Sequence, residues 1–166
     1  MTTPAESVEE SIFANVKSEL EEITAGSTFW YTPGIVTRTD QFTRKLFETP
    51  KKIVYLVRDT SEWVISAADR EFGKNAKTLT IFVLAGFHDD RADDNAHTMS
   101  APTKGTIRHR MMRDIEIKLD EDVTRGGNAL WTETGDATKD FEEGVSGWIL
   151  VELPINVTYT HDYSTP

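Results

Sequence analysis

The chain lacks cysteine and long apolar runs, and each absence removes a class of protein. Without cysteine, its 166 residues form no disulfide, no thiolate metal site and no cysteine nucleophile. No apolar run approaches the roughly 18 residues that cross a bilayer, and the N-terminal segment has no basic region followed by an apolar stretch. We therefore expect neither export nor membrane contact. The length and the hydrophobic content of 38% predict one folded domain over residues 1–166.

Basic residues are outnumbered by acidic ones, 18 Lys and Arg against 28 Asp and Glu. The net charge of −10 disfavours a surface that grips phosphate backbones. The charge is segregated: residues 5–24 carry six Glu against one Lys, residues 120–144 carry eight acids against two bases, and residues 37–58 carry a net +4. Such patches are usually solvated faces, but opposite patches also meet in head-to-tail contacts between copies. On the second interpretation we assign the assembly interface to one basic and one acidic group: Arg44, Lys45, Lys51, Lys52, Asp120, Glu121 and Asp122.

Apolar residues at helical spacing predict two amphipathic helices, over residues 5–24 and 103–123. Ala25-Gly26-Ser27 ends the first helix and Gly126-Gly127 ends the second. The apolar positions recur every three or four residues in each: Val8, Ile12, Val16, Leu20 and Ile23, then Ile107, Met111, Ile115 and Leu119.

The remaining apolar segments predict strands. In FWYTPGIVTRT, two strands flank a turn or bulge at Pro33-Gly34. Near-continuous apolar character makes residues 79–87 a central strand. Further strands are expected at 52–58, 63–65, 130–132 and from 148 to about 159, the last being one long strand or two pieces joined at Pro154, where proline favours an edge or a bulge. The order predicts an α+β domain, a mainly antiparallel sheet with two helices packed on it.

The search for catalytic chemistry assigns no catalytic, cofactor-binding or metal-binding residue, and we expect no enzyme. A cluster of His and Asp at 88–97 has ligand-like side chains, but its spacing matches no known metal motif. It leaves open a metal-binding or ligand-binding protein as an alternative. The aromatic group Phe29-Trp30-Tyr31 with Arg38 is better explained by packing than by base stacking in a chain this acidic.

The layout resembles the tail terminator, or tail completion, proteins of long-tailed bacteriophages over nearly the whole chain. The helix SIFANVKSELEEI precedes FWYTPGIVTRT, a P-x-x-I-V-Y-L-V strand, the strand TIFVLAGF, the helix RHRMMRDIEIKLDED and the terminal strand GWILVELPINVTYTHDYSTP. The most specific pieces are Met112-Arg113-Asp114-Ile115 and the ending from Val157 to Asp162.

The resemblance implies a virion protein of the tail or neck that assembles in the host cytoplasm. Such proteins form a ring, usually of six copies, on the last layer of the tail tube. The ring stops tube growth and forms the docking surface for the head connector. Its partners are thus other copies, the tail tube protein and the head connector protein, with genome DNA passing through without specific binding. Another head-tail connector or a tail tube subunit remains an alternative.

Overall fold

A computed structural model describes residues 7–39, 53–58, 75–88, 102–137 and 148–161. Within these ranges the chain forms two helices and five strands. The helices are α1 (Val8–Glu21) and α2 (Lys104–Asp120). The strands are β1 (Ile35–Thr39), β2 (Ile53–Arg58), β3 (Asn75–His88), β4 (Trp131–Thr134) and β5 (Trp148–His161).

The five strands form one sheet in the order β1-β2-β3-β5-β4. Strand β1 runs parallel to β2, and every other neighbouring pair is antiparallel. The long strands β3 and β5 pair along their whole length, from Asn75 opposite His161 to His88 opposite Trp148. The predicted α+β class, the mainly antiparallel sheet and the central position of β3 are therefore confirmed.

Each helix begins at a capping side chain. The Ser7 hydroxyl accepts from the Glu10 N–H and the Thr103 hydroxyl accepts from the Thr106 N–H, both at 3.2 Å. These caps satisfy N–H groups that have no partner within the first helical turn. The helices are thus shorter than the predicted spans of 5–24 and 103–123, and α2 gives way to turns after Asp120.

One apolar core lies between the helices and the sheet. Of the predicted helix positions, Val8 is half-buried and the other eight are buried. The odd-numbered residues of β3 and β5 face them, because side chains alternate along a strand. That sheet face comprises Leu79, Ile81, Val83 and Ala85 of β3 with Ile149, Val151, Leu153, Ile155, Val157 and Tyr159 of β5.

The strand predicted at residues 29–31 is wrong. Phe29 forms only an isolated bridge with Ala25, and the backbone then passes through a bend to β1. The Trp30 and Tyr31 N–H groups donate to the Asp114 carboxylate instead of to a neighbouring strand. The strand predicted at 63–65 lies outside the described residues, and the single-domain division over 1–166 stays a prediction.

Pro154 lies inside one continuous strand, opposite Phe82 of β3. The Gly135 N–H donates to the Pro154 carbonyl at 2.8 Å. Because the nitrogen and the carbonyl of one strand residue point to the same side, the Pro154 nitrogen also faces the β4 side. Pairing with β4 ends at Ile155, one residue away. The proline nitrogen therefore points to the side where no ladder donor is required, which is why the long strand tolerates it.

Candidate assembly surface

The predicted interface residues divide between the described and the remaining parts of the chain. Arg44, Lys45, Lys51 and Lys52 lie outside the described residues. Asp120, Glu121 and Asp122 are at the C-terminal end of α2. Of the basic segment 37–58, the described Arg38 pairs within the chain, with its guanidinium 2.5 and 3.0 Å from the two carboxylate oxygens of Glu10 and 4.2 Å from the centre of the Phe13 ring.

The last turns of both helices meet at one end of the molecule, joined by Lys118. Its ammonium group lies 2.6 Å from the Glu121 carboxylate, 2.9 Å from Glu22 and 3.2 Å from Glu19. The hydrogen bond to Glu121, with those to Glu22 and Glu19, raises the pKa of Lys118. Lys17 adds a second cation, 2.5 Å from the Glu21 carboxylate. Two ammonium groups cannot neutralise the five carboxylates gathered here, so this end is acidic. We call it the acidic pole: Glu19, Glu21, Glu22, Asp120 and Glu121.

The Asp122 side chain has a different environment from those of Asp120 and Glu121. Its carboxylate accepts from the Thr124 hydroxyl at 2.7 Å, the Thr124 N–H at 3.0 Å and the Gly126 N–H at 2.6 Å. The hydrogen bond from the Thr124 hydroxyl, followed by those from the backbone, lowers the pKa of Asp122. This side chain holds the turn after α2, whereas Asp120 and Glu121 are exposed at the surface.

Arg125 is a buried cation in the same turn. It is fully buried, and its guanidinium donates to the Thr132 hydroxyl at 3.1 Å, to the Leu119 carbonyl and to the Asn15 side chain at 3.4 Å. Its φ of 49° lies in the left-handed region, followed by Gly126 at 68° and Gly127 at 84°. The turn therefore reverses the chain while one side chain ties together α1, α2 and β4.

An exposed tryptophan lies beside the basic half of α2. Trp30 is 54% exposed, and the Arg110 guanidinium lies 3.9 Å from the centre of its ring, a cation–π contact. Arg113 is exposed and three residues along the same helix, so it neighbours Arg110 on the helix surface. We call Trp30, Arg110 and Arg113 the Trp30 patch.

The backbone beneath Trp30 is held from inside the protein. Asp114 is fully buried, and its carboxylate accepts from the Trp30 N–H at 3.0 Å and from the Tyr31 N–H at 2.9 Å. Burial raises the pKa of Asp114 in spite of these donors. The Asp114 carboxylate holds the backbone of a segment that forms no strand, so the exposed Trp30 side chain is attached to an ordered backbone.

The described residues provide no metal centre. They contain no group of three or more His, Asp or Glu side chains that could hold an ion. Of the predicted 88–97 cluster only His88 is described, and its ring packs edge-on against Trp148 at 5.2 Å. Neither α1 nor α2 is long and apolar enough to span a bilayer.

The sequence indicated no role for the Asp114 or Arg125 side chain, and Trp30, which it assigned to packing, is 54% exposed. The sequence does contain a signal for Asp114, because it falls on the apolar stripe between Met111 and Ile115. A carboxylate at such a position requires a tertiary hydrogen-bond partner. Arg125 has no comparable signal, since arginine next to two glycines is typical of an exposed turn.

No family model matches the chain, and no curated protein matches its sequence.

Proposed function

We propose that this chain is a tail terminator protein of a long-tailed bacteriophage. Six copies form a ring on the last layer of the tail tube, stop its growth and present the docking surface for the head connector. The role is structural rather than catalytic, in the tail or neck of the virion after assembly in the host cytoplasm.

The observation that carries the proposal is the position of the two most specific sequence pieces in the fold. In Met112–Ile115, Asp114 anchors Trp30 and Tyr31, and Ile115 lies in the core. In the ending from Val157 to Asp162, the Tyr159 hydroxyl donates to the Glu9 carboxylate of α1 at 2.7 Å. Both pieces therefore tie distant segments together, as expected of residues that define a fold.

The surface supports assembly in a second way. A ring requires two different surfaces on each copy, joined by a rotation that closes. The described surface has an acidic pole at one end of the helices and large exposed apolar side chains elsewhere, Trp30 at 54%, Leu130 at 56% and Trp131 at 55%. Exposed tryptophan is typical of binding hot spots.

The test is end-capping of tail tubes. Tubes assembled from the tail tube protein of the same virus are incubated with the purified chain and examined by negative-stain electron microscopy. We expect added density at one end, no further elongation when fresh tube protein is supplied, and a ring mass of six copies in native mass spectrometry.

Three other results would contradict the proposal. Incorporation along the tube would identify a tube subunit, and binding to the head connector without binding to tube ends would identify a connector. No binding to either, together with a melting temperature that falls on addition of EDTA, would favour the metal-binding alternative.

A further inference from the structure

Helix α2 carries its charges against its own dipole. Residues 104–113 hold four basic residues and no acid, whereas residues 114–122 hold five acids and one Lys. A helix favours negative charge near its N-terminus and positive charge near its C-terminus. Here Lys104 stands in the first turn, and Asp120 in the last turn is joined by the acids that end α1. This arrangement is unfavourable for the stability of a single chain, and a contact with oppositely charged groups of a second chain would offset that cost.

The Trp30 patch has the properties of a preorganised contact. Trp30 is exposed, but Asp114 fixes its backbone and Arg110 covers one face of its ring at 3.9 Å. A side chain already held in place loses little conformational entropy on binding. Trp and Arg are also the residue types that contribute most to binding energy at protein interfaces.

The acidic pole is the complementary surface on the same chain. Glu21 and Asp120 are exposed, at the ends of the two helices, and the carbonyl ends of both helices add partial negative charge there. Ten residues of α2 separate Arg110 from Asp120, which is about 15 Å along the axis. One copy therefore offers a basic aromatic surface and an acidic surface at different places on one helix.

We propose that the Trp30 patch of one copy docks on the acidic pole of a second copy. Charge complementarity selects this occupant, because the two surfaces have opposite sign, belong to the same chain and so occur in equal numbers. The contact joins two different surfaces and is heterologous, so it repeats from copy to copy and closes into a ring where the rotation permits. The closure into six copies rests on the proposed function, whereas the pairwise contact does not.

The test exchanges the charges of the two surfaces. Variant A carries Arg110→Glu and Arg113→Glu, and variant B carries Glu21→Lys, Glu22→Lys and Asp120→Lys, which together make the acidic pole positive. In each variant the two surfaces have the same sign, so we expect self-association to be weaker than that of the wild type by at least about tenfold. A mixture of A and B restores both pairings, and association should return with alternating copies. Sedimentation velocity over a concentration series measures all four samples.

A control variant separates a local contact from net charge. Glu133→Lys with Asp136→Lys changes the net charge in the same direction as variant B, by two substitutions against three, at exposed positions on β4 and just after it. We expect it to associate no more weakly than the wild type. Circular dichroism checks that each variant is folded. If variant A does not fold, Trp30→Ala with Arg113→Glu takes its place.

Two outcomes of the solution experiments would overturn the contact. One is a mixture of A and B that associates no better than either variant alone. The other is a wild-type chain that stays monomeric while its Trp30 patch binds a labelled single-stranded oligonucleotide and variant A does not. Tube capping by variant A at the wild-type level would also remove this contact while leaving the proposed function intact. A restored A and B mixture without any tube capping would leave the contact and remove the function.

Discussion

Both helices end in a turn that leads back to the sheet, but the two turns are held in different ways. The segment after α1, residues 22–34, has a local hydrogen bond from the Ala25 N–H to the Thr32 hydroxyl at 2.8 Å, but its backbone at Trp30 and Tyr31 is fixed by Asp114, 84 residues away from Trp30 along the chain. The segment after α2, residues 121–130, is fixed largely by its own residues. Asp122 accepts from Thr124 and Gly126, and the Arg125 side chain reaches back to the Leu119 carbonyl.

The difference decides what each turn can do. A turn built mainly from its own hydrogen bonds depends less on distant residues, which it reaches here through the contacts of Arg125 with Asn15 and Thr132. Where a distant carboxylate holds the backbone, as Asp114 does at Trp30 and Tyr31, the turn depends also on the packing of α2 against the sheet. It is the second kind that presents the exposed Trp30, so the proposed contact surface is coupled to the core through Asp114.

The largest expected effect is the loss of Arg125. We expect Arg125→Ala to lower the free energy of unfolding by about 4 kcal/mol, because it removes a fully buried side chain and leaves the Leu119 carbonyl with one donor fewer. Urea unfolding measures the change. Arg125→Lys should recover little of the lost stability, since an ammonium group cannot reproduce the planar arrangement of donors in the guanidinium group. A loss below about 1 kcal/mol would show that the turn after α2 does not need this side chain.

Asp114→Asn should have a smaller effect, about 2 kcal/mol at neutral pH. The amide keeps one acceptor for the Trp30 and Tyr31 N–H groups but places an NH₂ group in a buried site. Asp120→Asn is the matched control on the exposed side of the same helix, with an expected change within about 0.5 kcal/mol. Equal losses in the two variants would mean that the segment after α1 is not anchored by Asp114.

The same contrast explains what the sequence could predict. The periodic apolar residues of α1, α2 and β3 define each element locally, and their burial follows the predicted faces. Gly126-Gly127 does lie in the turn after α2, where both glycines have positive φ, but α2 already ends at Asp120, earlier than these glycines predicted.

The sequence-based predictions are wrong or incomplete where a residue far away in the sequence determines the local structure. Phe29-Trp30-Tyr31 has strand-like composition, but none of the five described strands pairs with it, and the Asp114 carboxylate accepts from two of its N–H groups. For the acidic pole, composition located Asp120 and Glu121, but only the fold brings Glu19 and Glu22 to the same Lys118. The basic residues Arg44, Lys45, Lys51 and Lys52 lie outside the described residues, so their part in assembly stays a prediction.

Substitution of Tyr55, whose side chain senses the charge of Asp114, should change the free energy of unfolding by about 1 kcal/mol. Tyr55 is fully buried, and within the described residues its hydroxyl is the one buried side-chain polar atom without a hydrogen-bond partner. Burial, together with the negative charge of Asp114, raises the pKa of Tyr55. Tyr55→Phe removes an unpaired polar group, so we expect unfolding to become harder by about 1 kcal/mol.

Tyr159→Phe is the paired control for that substitution. Its hydroxyl is bonded to Glu9 at 2.7 Å, so its removal should make unfolding easier by about 1 kcal/mol. Urea unfolding of the two variants in parallel gives both signs. A loss of stability in Tyr55→Phe as well would mean that the Tyr55 hydroxyl contributes favourably near Asp114.

The smallest expected effect is on pH dependence, and its sign differs between the two turns. Burial raises the pKa of Asp114, so the folded state binds this proton more tightly and its contribution to stability falls as the pH rises above the ordinary Asp pKa of about 3.9. The Thr124 hydroxyl lowers the pKa of Asp122. The contribution of Asp122 to stability is therefore complete above the ordinary Asp pKa and is lost as the pH falls below it, through the lowered pKa of the folded state. Urea unfolding of the wild type, Asp114→Asn and Asp122→Asn between about pH 2 and pH 7 separates the two. As the pH rises, the deficit of Asp114→Asn should shrink and that of Asp122→Asn should grow. If both deficits changed in the same direction, the two carboxylates would not hold their turns in the opposite electrostatic environments described above.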